Sequence, residues 1–334
     1  MENLAMDMLN AAPILLDLQA KIQAFDVSKS VYMSRLCGDD LANPFAANHR
    51  FTPLGIEEEE LPGILRLLGV RSLTLSARHD LTALANLTIP DNGASEQYQW
   101  SYLRNEAVIT ELRALLQNCR TLAFDDWSNL TAASALWDGL LQDVIKPLGK
   151  TDLEFIFFLG NPQKKLSFEV DEALDIISDF ARHGQVTFAL DEGEAVALWM
   201  VLNGVPLDTP VTQQSHPNLK KKYYSIFRIL RITRLLIYSA DDAILFTNEQ
   251  QFVLARRRVD NRVEMAADAR QHFIAGFSLG VLLRLDIAHC LALGLIVFGS
   301  YGELNASPER KDLLAYIDRW QEDLQKPAAT HLYQ

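Results

Sequence analysis

Cysteine is scarce: Cys37, Cys119 and Cys290 stand far apart in 334 residues. That spacing excludes a disulfide framework and a cysteine-rich zinc site, and it predicts a reducing compartment, the cytoplasm. Glycine and proline are sparse as well, at 16 and 12 residues, which excludes collagen-like and low-complexity architectures. Positive charge is in deficit, with 31 Lys plus Arg against 43 Asp plus Glu and a net charge of −12. Nucleic acid is therefore not expected as a partner, because phosphate neutralisation needs clustered cations. Long apolar runs are missing too. The most apolar region, Phe273 to Ser300, is broken by Arg284, Asp286 and His289. Its uninterrupted pieces are too short to span a bilayer, so two buried helices and no membrane partner are expected. Glu2, Asp7 and Asp17 at the amino terminus do not fit a secretory signal. The triplets Asn86-Leu-Thr88 and Asn129-Leu-Thr131 then read as chance matches to the glycosylation pattern.

What is present is an ordinary globular balance, 49% apolar and 22% charged. Helix-period segments fall near Ile56–Leu68, Glu106–Leu116, Ala132–Ile145, Glu169–Arg182, Glu192–Leu202, Leu219–Leu230, Gln271–Leu283, Ile287–Val297 and Glu309–Leu324. Short apolar runs lie between many of them: Ser72–Leu75, Thr121–Phe124, Leu153–Leu159, Val186–Leu190, Leu235–Tyr238 and Ala243–Thr247. Such alternation predicts one α/β domain over residues 1–334, with a mainly parallel central sheet and helices on both faces. Glu169–Arg182 should end in a left-handed cap at Gly184.

In a parallel sheet, function gathers where the strands end. Asp191-Glu-Gly-Glu194 follows one strand and opens a helix. It reads either as a capping box or as an acidic cluster that organises the waters of Mg²⁺, with Glu194 the metal-side carboxylate. Asn161-Pro-Gln-Lys164-Lys165 follows another strand and reads as a solvated turn or an anion contact. Glu57 to Glu60 fit the acidic opening of a helix, Lys220 to Lys222 a solvated helix start, and His289-Cys290 a buried structural pair. Asp268 with Gln271 fits a cap, and Gly276 and Gly280 let the following helix approach a neighbour closely.

His272-Phe273-Ile-Ala-Gly276-Phe277, followed by Gly280-Val-Leu-Leu, resembles the late signature of the ribokinase/PfkB carbohydrate kinases. Phe188-Ala-Leu-Asp191-Glu-Gly-Glu194 is similar to that family's Asn-x-x-Glu motif. Phe157-Phe-Leu-Gly-Asn161-Pro-Gln-Lys164-Lys165 is similar to its Asp-x-x-Asp-Pro loop, and Leu235–Thr247 to the strand, turn and strand before the signature. The resemblance implies a ribokinase-like three-layer sandwich with a small β lid, reduced here to residues 80–100. Leu84–Ile89 would be one lid strand, whose exposed edge suits a homodimer. It implies ATP and Mg²⁺ as cofactors and a sugar- or nucleotide-like ligand, with nucleotide-side residues Asp191, Glu194, Ser239 and Arg270. Substrate-side residues would be Gly55, Glu60, Asn161 and Lys164.

The departures bear on activity. Where the family has Gly-Ala-Gly-Asp, this chain has Asp268-Ala-Arg270-Gln271. Gln271 thus stands at the position of the general base, and a neutral amide cannot take a proton near pH 7. Asp268 and Arg270 replace the glycines whose amides cradle phosphate. Asp191 replaces the Asn, and Gly55, Ile56 and Glu60 keep only part of the early sugar-binding motif. Two functions follow from this pattern. One is a non-catalytic relative that binds a ligand or another protein, and the other is an ATP- and Mg²⁺-dependent small-molecule kinase with Asp268 as a displaced base.

Overall fold

The near-continuous apolar run at Leu153–Phe158 serves both faces of a sheet at once. Leu153, Phe155 and Phe157 enter one core while Ile156 and Phe158 enter the other, as the two-residue period of a strand requires. The same split recurs nearby: Leu235 and Ile237 face one way and Leu236 and Tyr238 the other. The computed structural model describes residues 6–24, 30–38, 57–59, 70–76, 84–89, 100–104, 106–118, 121–124, 127–129, 133–205, 216–239, 241–257, 267–304 and 308–326.

The strands are β1 (Met6–Met8), β2 (Ser30–Gly38), β3 (Glu57–Glu59), β4 (Val70–Ser76), β5 (Leu84–Ile89), β6 (Thr121–Phe124), β7 (Leu153–Phe158), β8 (Gly184–Asp191), β9 (Arg234–Tyr238), β10 (Asp242–Thr247) and β11 (Gln251–Ala255). The helices are α1 (Ala11–Ala24), α2 (Trp100–Leu103), α3 (Glu106–Asn118), α4 (Ala133–Leu140, running on through a π turn at Leu141–Ile145), α5 (Ser167–Phe180), α6 (Glu192–Leu202), α7 (His216–Ile229), α8 (Ala267–Leu282), α9 (Ile287–Leu304) and α10 (Arg310–Gln325). All these strands join one sheet in the order β1-β11-β10-β9-β8-β7-β6-β2-β5-β4-β3. The centre is parallel, with Phe124 opposite Phe157, Phe157 opposite Phe188 and Phe188 opposite Leu235. β10 and β11 then return antiparallel. One core lies between the sheet and α2 to α7, and the other between the sheet and α1, α8, α9 and α10. This is the expected three-layer α/β arrangement.

The first core is aromatic. Phe124 stacks on Phe157 at 4.4 Å between ring centres, and Phe180 meets Phe155 and Phe157 edge-on at 5.0 Å. Such pairs add about 0.5–1.5 kcal/mol each beyond the area they bury. In the second core α8 and α9 lie almost in backbone contact. A Cβ on Gly276 would stand 2.7 Å from the Leu293 carbonyl oxygen, and one on Gly280 would stand 2.8 Å from Cys290 Cα. α9 is long and apolar enough to cross a membrane by length and composition, yet Cys290 to Ser300 are all buried against protein. Burial pushes the Cys290 thiol up to about 12. His289 Nε2 lies 2.9 Å from Asp17 Oδ2, which ties α9 to α1.

Several expectations are corrected. Glu57–Glu59 is a strand, antiparallel to Ser72–Thr74, and not a helix opening. Backbone pairing with β4 overrides the poor strand propensity of glutamate. Leu84–Ile89 is a strand, but β2, β4 and β6 all bond to it within the main sheet, so its edge is covered. Residues 80–83 and 90–99 lie outside the described residues. Gly184 does not adopt a left-handed cap. It opens β8, where a Cβ would come within 2.1 Å of the Leu153 carbonyl oxygen, so close strand approach explains the glycine. α8 begins at Ala267, which places Asp268 inside its first turn and not at its cap. Lys220 to Lys222 also lie inside a helix, and Lys222 Nζ sits 3.7 Å from the centre of the Trp199 ring. β1, α1, β2 and β11 had no counterpart in the sequence reading.

Candidate functional site

The carboxyl ends of β6, β7, β8 and β9 meet at one end of the sheet, and the loops after β7, β8 and β9 bear expected site residues. The loops after β6 and β7 are joined to each other. The Ser128 amide donates to the Leu159 carbonyl at 2.9 Å, and Lys165 Nζ lies 5.4 Å from the Trp127 ring centre. Trp127 Nε1 donates to Ser134 Oγ at 3.0 Å, fixing the indole. After β7, Gly160 takes φ +76°, a conformation open to glycine at little steric cost. Asn161 Oδ1 then accepts from the Gln163 amide at 3.0 Å and starts a single 3-10 turn, Pro162–Lys164. Lys164 projects from that turn into solvent.

After β8 the capping box forms in full. Asp191 Oδ1 accepts from the Glu194 amide at 2.7 Å, and the Asp191 amide donates to Glu194 Oε2 at 3.0 Å. Two amides at the start of α6 are thereby satisfied. Glu194 is 6% exposed, so its carboxylate is part of the folded interior. The neighbouring Glu192 accepts from the Tyr223 hydroxyl at 3.1 Å. Burial, then the Glu192 charge, pushes that phenol well above its ordinary value.

Ser239 closes the β9–β10 hairpin. Its Oγ accepts from the Asp241 and Asp242 amides at 3.1 Å and donates to Asp242 Oδ1 at 2.9 Å. This serine turn replaces backbone bonds that a tight reversal leaves open.

The start of α8 is brought to the same end of the sheet. Phe273 stacks on Tyr238, the last residue of β9, at 4.3 Å, and His272 stacks on Tyr301 at 3.9 Å. Gln271 precedes these anchors directly. Asp268, Arg270 and Gln271 occupy the first two turns of the helix backbone, so the structure brings these positions, Asp191 with Glu194, and Ser239 to one end. Gly55 and Glu60 lie outside the described residues.

One residue escaped the sequence reading. Arg256 follows β11 at this same end and is only 8% exposed, with its guanidinium 5.0 Å from the Phe298 ring centre. Its amide donates to the Asp241 carbonyl at 2.8 Å, and its buried Nε has no hydrogen-bond partner among the described residues. The signal was available, since Arg256-Arg257-Arg258 is a run of three arginines in an acidic chain.

ATP with Mg²⁺ would need oxygen ligands and anion donors here. The donors assigned to it are engaged locally: Asp191 and Glu194 with each other's amides, and Ser239 with its turn. Among the described residues no cluster of three or more Asp, Glu, His or Cys side chains is suited to hold a metal ion. The described side chains therefore do not form a ready-made Mg²⁺ site.

Comparison with known proteins agrees with the resemblance. No curated protein matches the chain significantly. Among solved structures, it is similar to a carbohydrate kinase from Agrobacterium tumefaciens at 15% identity, covering 87% of this chain and 95% of that one with a TM-score of 0.46. It is also similar to a ribokinase from Cryptococcus neoformans var. grubii serotype A in complex with ADP, at 16% identity, 61% of each chain and a TM-score of 0.42. A tetrameric inhibited form of phosphofructokinase-2 from Escherichia coli matches at 12% identity over 65% of this chain and 62% of that one, with a TM-score of 0.42. In these last two, the matched part spans about three fifths of the relative's length. Residues 84–320, well over half of the chain, match the family described as prokaryotic ketohexokinase, and the chain belongs to that family.

Proposed function

We propose that this member of a carbohydrate-kinase family does not transfer phosphoryl groups at a competent rate. It works as a ligand-binding or protein-interaction module on the kinase scaffold. The observation that carries this reading is Gln271, which follows the family's register two residues before Phe273, itself anchored on Tyr238. The family's base belongs at that position. A positioned base is worth about 10²–10⁴-fold in rate, and loss of the amide cradle beside it removes several kcal/mol more. The local engagement of Asp191 and Glu194 in a helix cap, and of Ser239 in a turn, supports the same reading. The ligand class is a sugar- or nucleotide-like small molecule at the carboxyl ends of the strands, and a second copy of the chain or another protein is the alternative occupant.

The competing reading is an ATP- and Mg²⁺-dependent kinase with Asp268 as base. Family membership favours it, and α8 carries Asp268 in its first turn. Turnover against a sugar and nucleoside panel separates the two, measured for the natural chain, for Gln271→Asp, and for Gln271→Asp combined with Asp268→Gly and Arg270→Gly. The expected series is background transfer, little gain, then partial recovery. Robust Mg²⁺-dependent transfer by the natural chain, abolished by Asp268→Asn, would overturn the proposal.

A further inference from the structure

At the amino ends of β8 and β9, opposite the site above, a cavity of about 460 Å³ opens to solvent. β9 has five residues, so at about 3.3 Å per residue the two ends lie roughly 15 Å or more apart. The cavity sits where α7 ends, against the turn before β8 and the turn after β10. Phe227 and Ile232, both nearly buried, give it an apolar floor, and Tyr224 and Asn248 line it with polar atoms. Arg228 and Arg231, three residues apart on the last turn of α7 and just beyond it, complete the wall.

Four arginines cluster at this end of the sheet, and they fall into two kinds. Arg234 Nη2 is 2.6 Å from Glu154 Oε2, and Arg182 Nη1 is 3.2 Å from Asp179 Oδ1. Those two charges are balanced. Arg228 and Arg231 have no ion pair or hydrogen bond from their side chains among the described residues. Both are exposed, and together they place two guanidinium groups without a carboxylate partner at the mouth of the cavity in a chain with a net charge of −12. The carbonyl end of α7 alone would repel an anion, and one cation there would merely balance the helix dipole. The second guanidinium leaves a net positive site. Guanidinium forks match the paired oxygens of phosphate and carboxylate, and the volume falls within the range of small-molecule sites.

We infer that this cavity binds a small organic oxyanion, a phosphate ester or a carboxylate with an apolar body, through Arg228 and Arg231. The apolar body rests on Phe227 and Ile232 while the oxyanion faces the two forks. The site stands apart from the carboxyl ends of the strands and does not depend on whether phosphate is transferred there.

The test uses the full chain with phenyl phosphate, phthalate and neutral benzyl alcohol as probes, titrated calorimetrically at low and moderate salt. Expected is salt-sensitive binding of one or both anions and none of the alcohol. Phenyl phosphate alone would mark a phosphate-ester site, and phthalate alone a carboxylate site. Combining Arg228→Ala with Arg231→Ala should weaken that binding by about tenfold or more, as loss of two charge-assisted contacts requires. Asn248→Asp, which adds a negative charge at the lip, should weaken it in the same direction and covers the case where the double variant fails to fold. Failure of both anions to bind in the millimolar range would overturn the proposal. So would binding that survives both the double substitution and Asn248→Asp.

Discussion

The two ends of the parallel strands use their polar side chains differently. At the carboxyl ends, where a parallel α/β sheet keeps its chemistry, the described polar side chains are used to hold the chain in place. Asp191 and Glu194 satisfy each other's amides, Asn161 starts a turn, and Ser239 closes a hairpin. At the amino ends the backbone is pinned by tight contact, as at Gly184 against Leu153, and Arg228 and Arg231 remain unpaired among the described residues beside a cavity. Polar side chains thus serve backbone structure at one end of the sheet and stand without a carboxylate partner at the other. Charge left unbalanced elsewhere is then the better pointer to a ligand.

The largest effect that would sharpen this comparison comes from Gly184→Val. A Cβ there meets the Leu153 carbonyl oxygen at 2.1 Å, so β7 and β8 must separate at the half-buried start of β8, beside the buried Leu153. A loss of about 3 kcal/mol is expected from urea unfolding. A loss under about 1 kcal/mol would show that the amino ends yield easily and that the cavity is not held by a rigid floor. Next comes Glu194→Ala at the opposite end, expected to cost about 0.5–2 kcal/mol through the lost cap, with Glu194→Gln retaining most of the stability. Unchanged stability with loss of Mg²⁺-dependent nucleotide binding would break the comparison, because Glu194 would then be serving a ligand.

Much of this was legible in the sequence. β7 and β8 are visible because a strand covered on both faces must be apolar throughout, and α6 because Asp191 and Glu194 carry a local signal that needs no tertiary context. What was hidden depends on pairing. Glu57–Glu59 carries an acidic helix-start pattern that only its neighbour β4 overrides. Gly184 looks like a helix cap until the approach of Leu153 gives it a different reason. β11 is missed because Gln251-Phe-Val-Leu-Ala255 is a short run between polar turns, and its worth lies in pairing with both β10 and β1. The engagement of Asp191 with Glu194 was one of two readings of their motif, but that of Ser239 in its turn was not visible, since a residue list states which groups are present and not which are already bonded. The cavity at Arg228 and Arg231 had no signal, because its walls come from three connections far apart in the chain.

The smallest expected effect probes the charge asymmetry directly. His183 lies in the turn before β8, two residues from the cavity-lining Ala181. Its imidazole is held below the ordinary value of 6.5, first by burial and then by the positive charges of Lys146 and Arg182. A histidine whose folded pKa is depressed binds fewer protons folded than unfolded, in the window between the folded value and 6.5. Stability therefore falls as pH drops through 6.5 and stops falling below the folded value, with the full contribution present above 6.5. Thermal midpoints between about pH 7.5 and 5 should show a slope that is reduced in His183→Gln. The change will be modest, because the ring is half-exposed and solvent screens the field. Phenyl phosphate bound between Arg228 and Arg231 should raise the His183 pKa and flatten the slope in the natural chain but not in the double arginine variant. A slope unchanged in His183→Gln would mean that neither burial nor the charges of Lys146 and Arg182 depress this imidazole. The contrast between the two ends would then rest on geometry alone.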